Sequence, residues 1–141
     1  VMGATKKVSE IIVKNAGGIS VRFGNVMGSR GSLLEIWQRQ MDKGESLTIT
    51  DERMERYMMT IPQACELVIK ASEIGEPGQI LIMDMGKQVK ILDLAKEILA
   101  KSNKDIGIKT IGIRPGETLS EQLMTVEEEQ RAIKKGNFYI I

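Results

Sequence analysis

The chain has 141 residues, 20 of them basic and 19 acidic, which leaves a net charge of +1 on a composition that is 42% hydrophobic. This length suits one domain with a hydrophobic core, and the balanced charge, with no long basic run, argues against a general nucleic-acid-binding surface. With no histidine and one cysteine, the chain holds no histidine-based triad, no conventional zinc site and no internal disulfide, and no signal peptide or long apolar run marks a membrane segment.

Residues 3–15 read as an amphipathic helix, because Val8, Ile11 and Ile12 recur at helical spacing. Met2 and Lys6 are i,i+4 neighbours on it. Residues 19–23 read as a short buried strand. It runs into a loop rich in Gly and Ser, from Gly24 to Ser32, of the kind that lets backbone approach a ligand closely. A second helix, 32–43, carries Leu33, Trp37 and Met41 on one face, and a short strand covers 47–50. A loop then leads to 56–60, where Arg56 stands isolated in an apolar run. The third helix, 62–74, has Pro62 in its first turn, where the missing N–H is harmless. Its expected core stripe is Ala64, Leu67, Val68 and Ala71, with Cys65 expected among them as a small buried hydrophobe.

Gly75-Glu76-Pro77-Gly78 is a turn signal, and 79–83 read as a strand. The fourth helix, 91–101, has the cleanest pattern, in Ile91, Leu94, Ala95, Ile98 and Leu99. A strand is expected at 108–113 and a short helix at 119–124. The run from Glu127 to Arg131 reads as a solvated helix, and Phe138 to Ile141 as a terminal strand. The nine methionines are adequately explained as core filling.

Between the strand expected at 108–113 and the helix expected at 119–124 lies Ile113-Arg114-Pro115-Gly116-Glu117-Thr118-Leu119. A strand delivers an arginine, a proline and glycine reverse the chain, and a carboxylate follows. Arginine's planar fork fits phosphate oxygens in a bidentate way, and a carboxylate beside it can accept from a ribose diol. The same residues also make a surface turn with a solvated ion pair.

Taken in order, Met2-Gly3-Ala4-Thr5-Lys6, the Val21 to Ser32 stretch, Glu55 to Ile61, Gln79 to Gly86, Lys90 to Ala95 and the Arg-Pro-Gly-Glu turn resemble the extended short-chain dehydrogenase/reductase superfamily. Within it they look most like nucleotide-sugar 4,6-dehydratases of bacterial polysaccharide and glycan synthesis. The resemblance implies an α/β chain that is the C-terminal portion of an extended Rossmann-type enzyme, mostly its substrate-binding domain. Residues 1–28 would be a remnant of the dinucleotide-binding domain and 29–141 the UDP-sugar-binding domain. No glycine fingerprint of the dinucleotide-binding type follows a strand. NAD or NADP is therefore expected in the parent protein, with no tight binding to this chain and no metal.

The resemblance also implies roles. Lys6 matches the lysine of a Tyr-x-x-x-Lys motif and would bond the nicotinamide ribose; Met2 stands at the tyrosine position, where a thioether carries no exchangeable proton. These two are the catalytic positions. Phe23, Gly24, Asn25 and Val26 would flank the cofactor, with Asn25 where sugar, diphosphate and nicotinamide meet. Arg56 and Arg114 would hold the UDP diphosphate and Glu117 the uridine ribose, with Ser32 and Thr48 contacting the nucleotide. Thr118 stands where many relatives carry lysine. The acid and base carboxylates of such dehydratases lie upstream of the Met2 motif, so the chain alone is expected to be inactive.

Partners implied are a UDP-sugar, the missing N-terminal half and a second copy of the chain, with no nucleic acid. Localisation would be cytoplasmic, at the inner face of the membrane if absent segments anchor the parent. A UDP-hexose 4-epimerase fragment and a non-catalytic UDP-binding or assembly module are the alternatives. Without partner strands, residues 1–28 are expected to lie outside a core over 32–125, exposing Val8, Ile11 and Ile12.

Overall fold

The structure, a computed structural model, describes residues 2–141; Val1 and the side chain of Met2 lie outside the described part. The first half contains α1 (Met2–Asn15), β1 (Ser20–Arg22), β2 (Asn25–Val26), α2 (Leu33–Lys43), β3 (Leu47–Ile49), β4 (Glu55–Arg56), β5 (Met58–Met59) and α3 (Ile61–Ile74). The second contains β6 (Ile80–Met83), β7 (Val89–Lys90), α4 (Ile91–Ser102), β8 (Ile108–Thr110), α5 (Val126–Arg131), β9 (Ile133–Lys135) and β10 (Phe138–Ile140). The chain separates into two compact units. One runs to Phe23 and takes in Pro62–Asp84 and Gln122–Ile141; the other comprises Gly24–Ile61 and Met85–Glu121. The units are therefore interleaved in sequence, whereas the division expected at 28/29 is contiguous.

The first unit is built on a sheet of order β1-β6-β10-β9. β1 runs parallel to β6, and β10 runs antiparallel to both β6 and β9. β6 is central, and Leu81, Ile82 and Met83 are all essentially inaccessible. A strand covered on both faces reads as a continuous apolar run rather than an alternating one, which is why this one was legible. β9 and β10 close through Gly136 and Asn137, with Gly136 at φ 61°, the first central position where a II′ hairpin turn calls for glycine.

β1 belongs to this compact unit, so the expectation of a core confined to 32–125 is corrected: Ser20, Val21 and Arg22 pair with Ile80, Leu81 and Ile82. Val8, Ile11 and Ile12 are each more than half exposed, as expected of that helix face.

Three further expectations in this unit are corrected. On α3 the buried residues are Leu67 and Ala71, while Val68 is half exposed. Cys65 is exposed, because the packed stripe passes through Leu67 and Ala71. The acidic run at 127–131 is helical, but it is not simply solvated: Glu128 is 5% exposed. Its partner is Arg22. The guanidinium donates to both Glu128 oxygens at 2.8 and 2.9 Å, to both Glu10 oxygens at 2.7 and 2.8 Å, and to the Leu123 carbonyl at 2.6 Å. The hydrogen bonds from Arg22 hold both carboxyls below their ordinary range, and those carboxylates, Glu10 first, push the guanidinium up. Glu128 also completes a capping box with Thr125 at the start of α5.

In the second unit β3 pairs in parallel with β8, β2 in parallel with β5, and β4 antiparallel with β7. Its core joins Trp37 and Met41 of α2, Leu47 and Ile49 of β3, Met54, and Ile91 and Ala95 of α4. Trp37 is completely enclosed, and its indole donates to the Thr48 carbonyl at 2.9 Å. α2 ends at Gly44, which takes the left-handed conformation at φ 69°.

The helix expected at 119–124 does not form. The Thr118 and Leu119 carbonyls instead accept from the Arg56 guanidinium at 2.9 and 3.1 Å, and Leu119 also accepts from the Glu55 amide at 2.8 Å. The strand expected at 108–113 stops at Thr110. Ile111 still donates to the Ile49 carbonyl at 2.8 Å, and Gly112 then turns the chain at φ 91°.

Candidate functional site

The second unit contains a cavity of about 290 Å³ lined by Asn25, Val26, Ser32, Thr48, Arg56, Arg114 and Glu117. Seven positions expected to contact cofactor or substrate are thus gathered at one place, from segments as far apart in sequence as β2 and the 114–117 turn. Its apolar wall includes Leu33, Ile36, Met54, Met58, Ile91 and Ile111, a mixture of apolar surface and a few convergent polar groups that suits a small organic ligand. The apolar lining was not legible as a site, because each of these residues also reads as core periodicity.

The 114–117 turn is set by its own sequence. The Glu117 amide donates to the Arg114 carbonyl at 3.0 Å, and Gly116 sits at φ 81°. Proline then glycine at the two central positions is the type II pattern, where the third residue must adopt positive φ. The Glu117 carboxylate folds back to accept from the Arg114 amide at 3.1 Å, and its other oxygen accepts from the Thr50 hydroxyl at 3.3 Å. The Arg114 side chain is exposed and forms no ion pair or hydrogen bond among the described residues. Its planar fork of donors is therefore available to an anion.

Arg56 is arranged differently. It is 13% exposed, with Glu121 3.4 Å from Nε and Glu117 3.7 Å from Nη2. Its remaining donors go to the carbonyls of Glu55, Thr118 and Leu119. Arg56 thus ties β4 to the segment after the turn while facing the cavity. Glu121 and its neighbour Gln88 were missed in the sequence, since neither lies in a recognisable motif.

Thr48 is held by Gln40, which accepts from its amide at 3.0 Å and donates to its hydroxyl oxygen at 2.9 Å. Its hydroxyl proton remains free to donate. Ser32 precedes α2 but makes no side-chain cap, and its Oγ is buried with no hydrogen-bond partner. A buried hydroxyl without a partner costs free energy that a bound polar group recovers.

Gly24 belongs to this unit but does not line the cavity. A Cβ there would meet the Tyr57 carbonyl oxygen and the Met85 sulfur, both at 2.7 Å, so close backbone packing accounts for this glycine. Lys6 and Phe23 belong to the first unit, where both are exposed. The Met2 position, expected at the catalytic motif, lies outside the described residues as far as its side chain is concerned. Among the described residues no group of acidic, Cys or His side chains is placed to hold a metal, and no helix is long and apolar enough to cross a membrane.

The family model described as "Polysaccharide biosynthesis protein" matches residues 1–141. The chain is 44% identical over 138 residues to the capsular polysaccharide biosynthesis protein CapD of Staphylococcus aureus, covering 91% of this chain and 23% of CapD. It superposes on the X-ray structure of Pen from Bacillus thuringiensis with a TM-score of 0.93 and 36% identity, over 99% of this chain and 47% of Pen. The UDP-glucuronic acid 4-epimerase of Bacillus cereus, solved with UDP-glucuronic acid and NAD, shares the fold at a TM-score of 0.63 and 22% identity, over 74% of this chain and 35% of the epimerase. The chain thus spans about a quarter of CapD and under half of Pen.

Proposed function

This chain belongs to the polysaccharide biosynthesis protein family and has the α/β fold of the extended, Rossmann-type short-chain dehydrogenase/reductases, and from that premise we propose that it is the C-terminal, substrate-binding part of a UDP-N-acetylhexosamine 4,6-dehydratase. The observation that carries this reading is that one cavity is lined by Asn25, Ser32, Thr48, Arg56, Arg114 and Glu117 together. A nucleoside diphosphate needs cationic forks at the phosphates, an acceptor for a ribose diol and apolar surface for a base, and this cavity supplies all three.

In this reading Arg114 takes the diphosphate through its unengaged guanidinium, with Arg56 adding charge beside it. Glu117 keeps acceptor capacity after its bonds to Thr50 and the Arg114 amide, and accepts from the uridine ribose. Ser32 Oγ, otherwise without a partner, donates to the nucleotide at the start of α2, where the helix dipole also favours an anion. Thr48 donates its hydroxyl proton.

A bound nicotinamide cofactor supplies the reversible hydride chemistry by which such enzymes oxidise C4 of a hexose and reduce C6 after loss of water. Lys6 would bias the charge at the nicotinamide ribose. Met2 carries no proton, so proton transfer falls to groups outside this chain. The fold shared with a 4-epimerase supports a second reading, 4-epimerisation of a UDP-hexose, which needs the same C4 oxidation but no elimination.

The test is calorimetry with UDP on the full-length native protein. Arg114→Ala should weaken UDP binding by about two orders of magnitude, as for a desolvated anion partner worth about 2–5 kcal/mol. Unchanged affinity would end the nucleotide reading.

A further inference from the structure

We infer that Glu121 is a positioning residue of the nucleotide-sugar site, joining Asn25 and Arg56 through one carboxylate. The inference rests on the reading of that cavity as a UDP-sugar site. Glu121 does not line the cavity, and it lies in no motif picked out in the sequence.

Its backbone is fixed first. The Gln88 side-chain amide donates to the Glu121 carbonyl and accepts from the Glu121 amide, both at 3.1 Å. A side chain that satisfies both backbone groups of one residue acts as a neighbouring strand would, and anchors the base of the carboxylate where the expected helix fails to form. The two carboxylate oxygens are then divided. Oε2 accepts from Asn25 Nδ2 at 3.4 Å, and Oε1 lies 3.4 Å from Arg56 Nε.

Two consequences follow. An ionised carboxylate can only accept, so it selects the orientation of Asn25 in which Nδ2 faces Glu121 and Oδ1 remains as the free acceptor. A sugar hydroxyl can then donate to Asn25. The same carboxylate pairs with the Nε edge of Arg56, leaving the guanidinium oriented by three backbone carbonyls and two carboxylates when the ligand arrives. Glu121 thereby sets the sugar contact and the diphosphate contact together, without touching either.

The experiment uses the full-length native protein with two probes, UDP and UDP-N-acetylglucosamine, in calorimetry, and thermal melts for each variant. Glu121→Gln should weaken UDP binding about tenfold through Arg56, a coupling of ordinary size for groups in one network. It should weaken UDP-N-acetylglucosamine more than UDP, because only the sugar uses Asn25. In an Arg56→Ala background, Glu121→Gln should cause no further loss of UDP affinity. Gln88→Ala, which releases the backbone but leaves the carboxylate, should act in the same direction and more weakly.

A merely structural role would lower both affinities equally and by the same factor in both backgrounds, and that result overturns the inference. Unchanged UDP affinity in Glu121→Gln, with affinity lost in Arg114→Ala, overturns it too while leaving the UDP reading intact. Unchanged affinity in Arg114→Ala overturns the UDP reading and this inference with it.

Discussion

Each compact unit places one arginine between two glutamates and adds backbone carbonyls, yet the two clusters differ. Around Arg22 every contact lies at 2.9 Å or less, both carboxylates are gripped in bidentate fashion, and Glu128 is 7% exposed at its side chain. Around Arg56 the carboxylates stand off at 3.4 and 3.7 Å, and Glu117 and Glu121 are 24% and 32% exposed. A tight, enclosed set has no room to exchange partners. Carboxylates that stand off beside a cavity leave the Arg56 charge less fully compensated, although its bonds to three carbonyls remain short. The same residue types thus form a close-packed tie in one unit and a looser, more open set beside a cavity in the other.

The largest expected effect breaks the first cluster. Arg22→Met leaves Glu10 and Glu128 with only the half-exposed Lys7 as a cation in a partly dry setting, a loss expected to approach the about 3–5 kcal/mol of a broken buried pair. Urea unfolding followed by circular dichroism would measure it. The same swap at Arg56 should cost less stability, since Glu117 and Glu121 reach water. Equal losses at the two positions would break the comparison.

Acid offers a second, smaller probe. Glu10 and Glu128 have folded-state pKa values lowered chiefly by the hydrogen bonds from Arg22. Depressed carboxyls contribute stability that is fully present above the unfolded-state value of about 4.3 and fades as the pH falls towards the folded values. Stability should therefore drop with acid below about pH 4.3, and Glu128→Gln should flatten that decline. A decline equally steep in Glu128→Gln would assign it to other groups.

The smallest effect sharpens the second cluster. Thr50→Val removes the hydroxyl that donates to Glu117 and should cost about 0.5–1.5 kcal/mol, the net worth of one such bond. Equilibrium denaturation resolves a change of that size. A loss several times larger would mean that the cluster at the cavity is as tightly built as the one around Arg22.

What the sequence disclosed and what it concealed divide along the range of the interactions. The 114–117 turn was readable because Pro115 and Gly116 set its dihedrals locally, and α4 was readable because its apolar stripe repeats within the element. The seven cavity positions were recoverable through motif order. Glu128 was misjudged because its partner lies 106 residues away in sequence, and nothing in an acidic run announces a buried arginine. The missing helix at 119–124 has the same origin, since Arg56, more than 60 residues earlier, claims the carbonyls of Thr118 and Leu119. Cys65 sits among apolar neighbours in sequence, but rotation of α3 decides which of them faces the sheet. Glu121 and Gln88 carry no local signal, because their importance lies in a fork of side chain on backbone that only the fold assembles.

The enclosure of Trp37 gives the molecule an optical readout of its own. It is the only tryptophan in the chain, it has no accessible surface, and its N–H is bonded to the backbone of Thr48, a residue of the cavity wall. An indole in apolar surroundings emits at shorter wavelength than one in water, so tryptophan emission, excited apart from the tyrosines, reports on the second unit. A ligand seated against Thr48 lies one carbonyl away from that fluorophore. Binding at the cavity and opening of the core around it can therefore be followed by emission alone, on unlabelled protein.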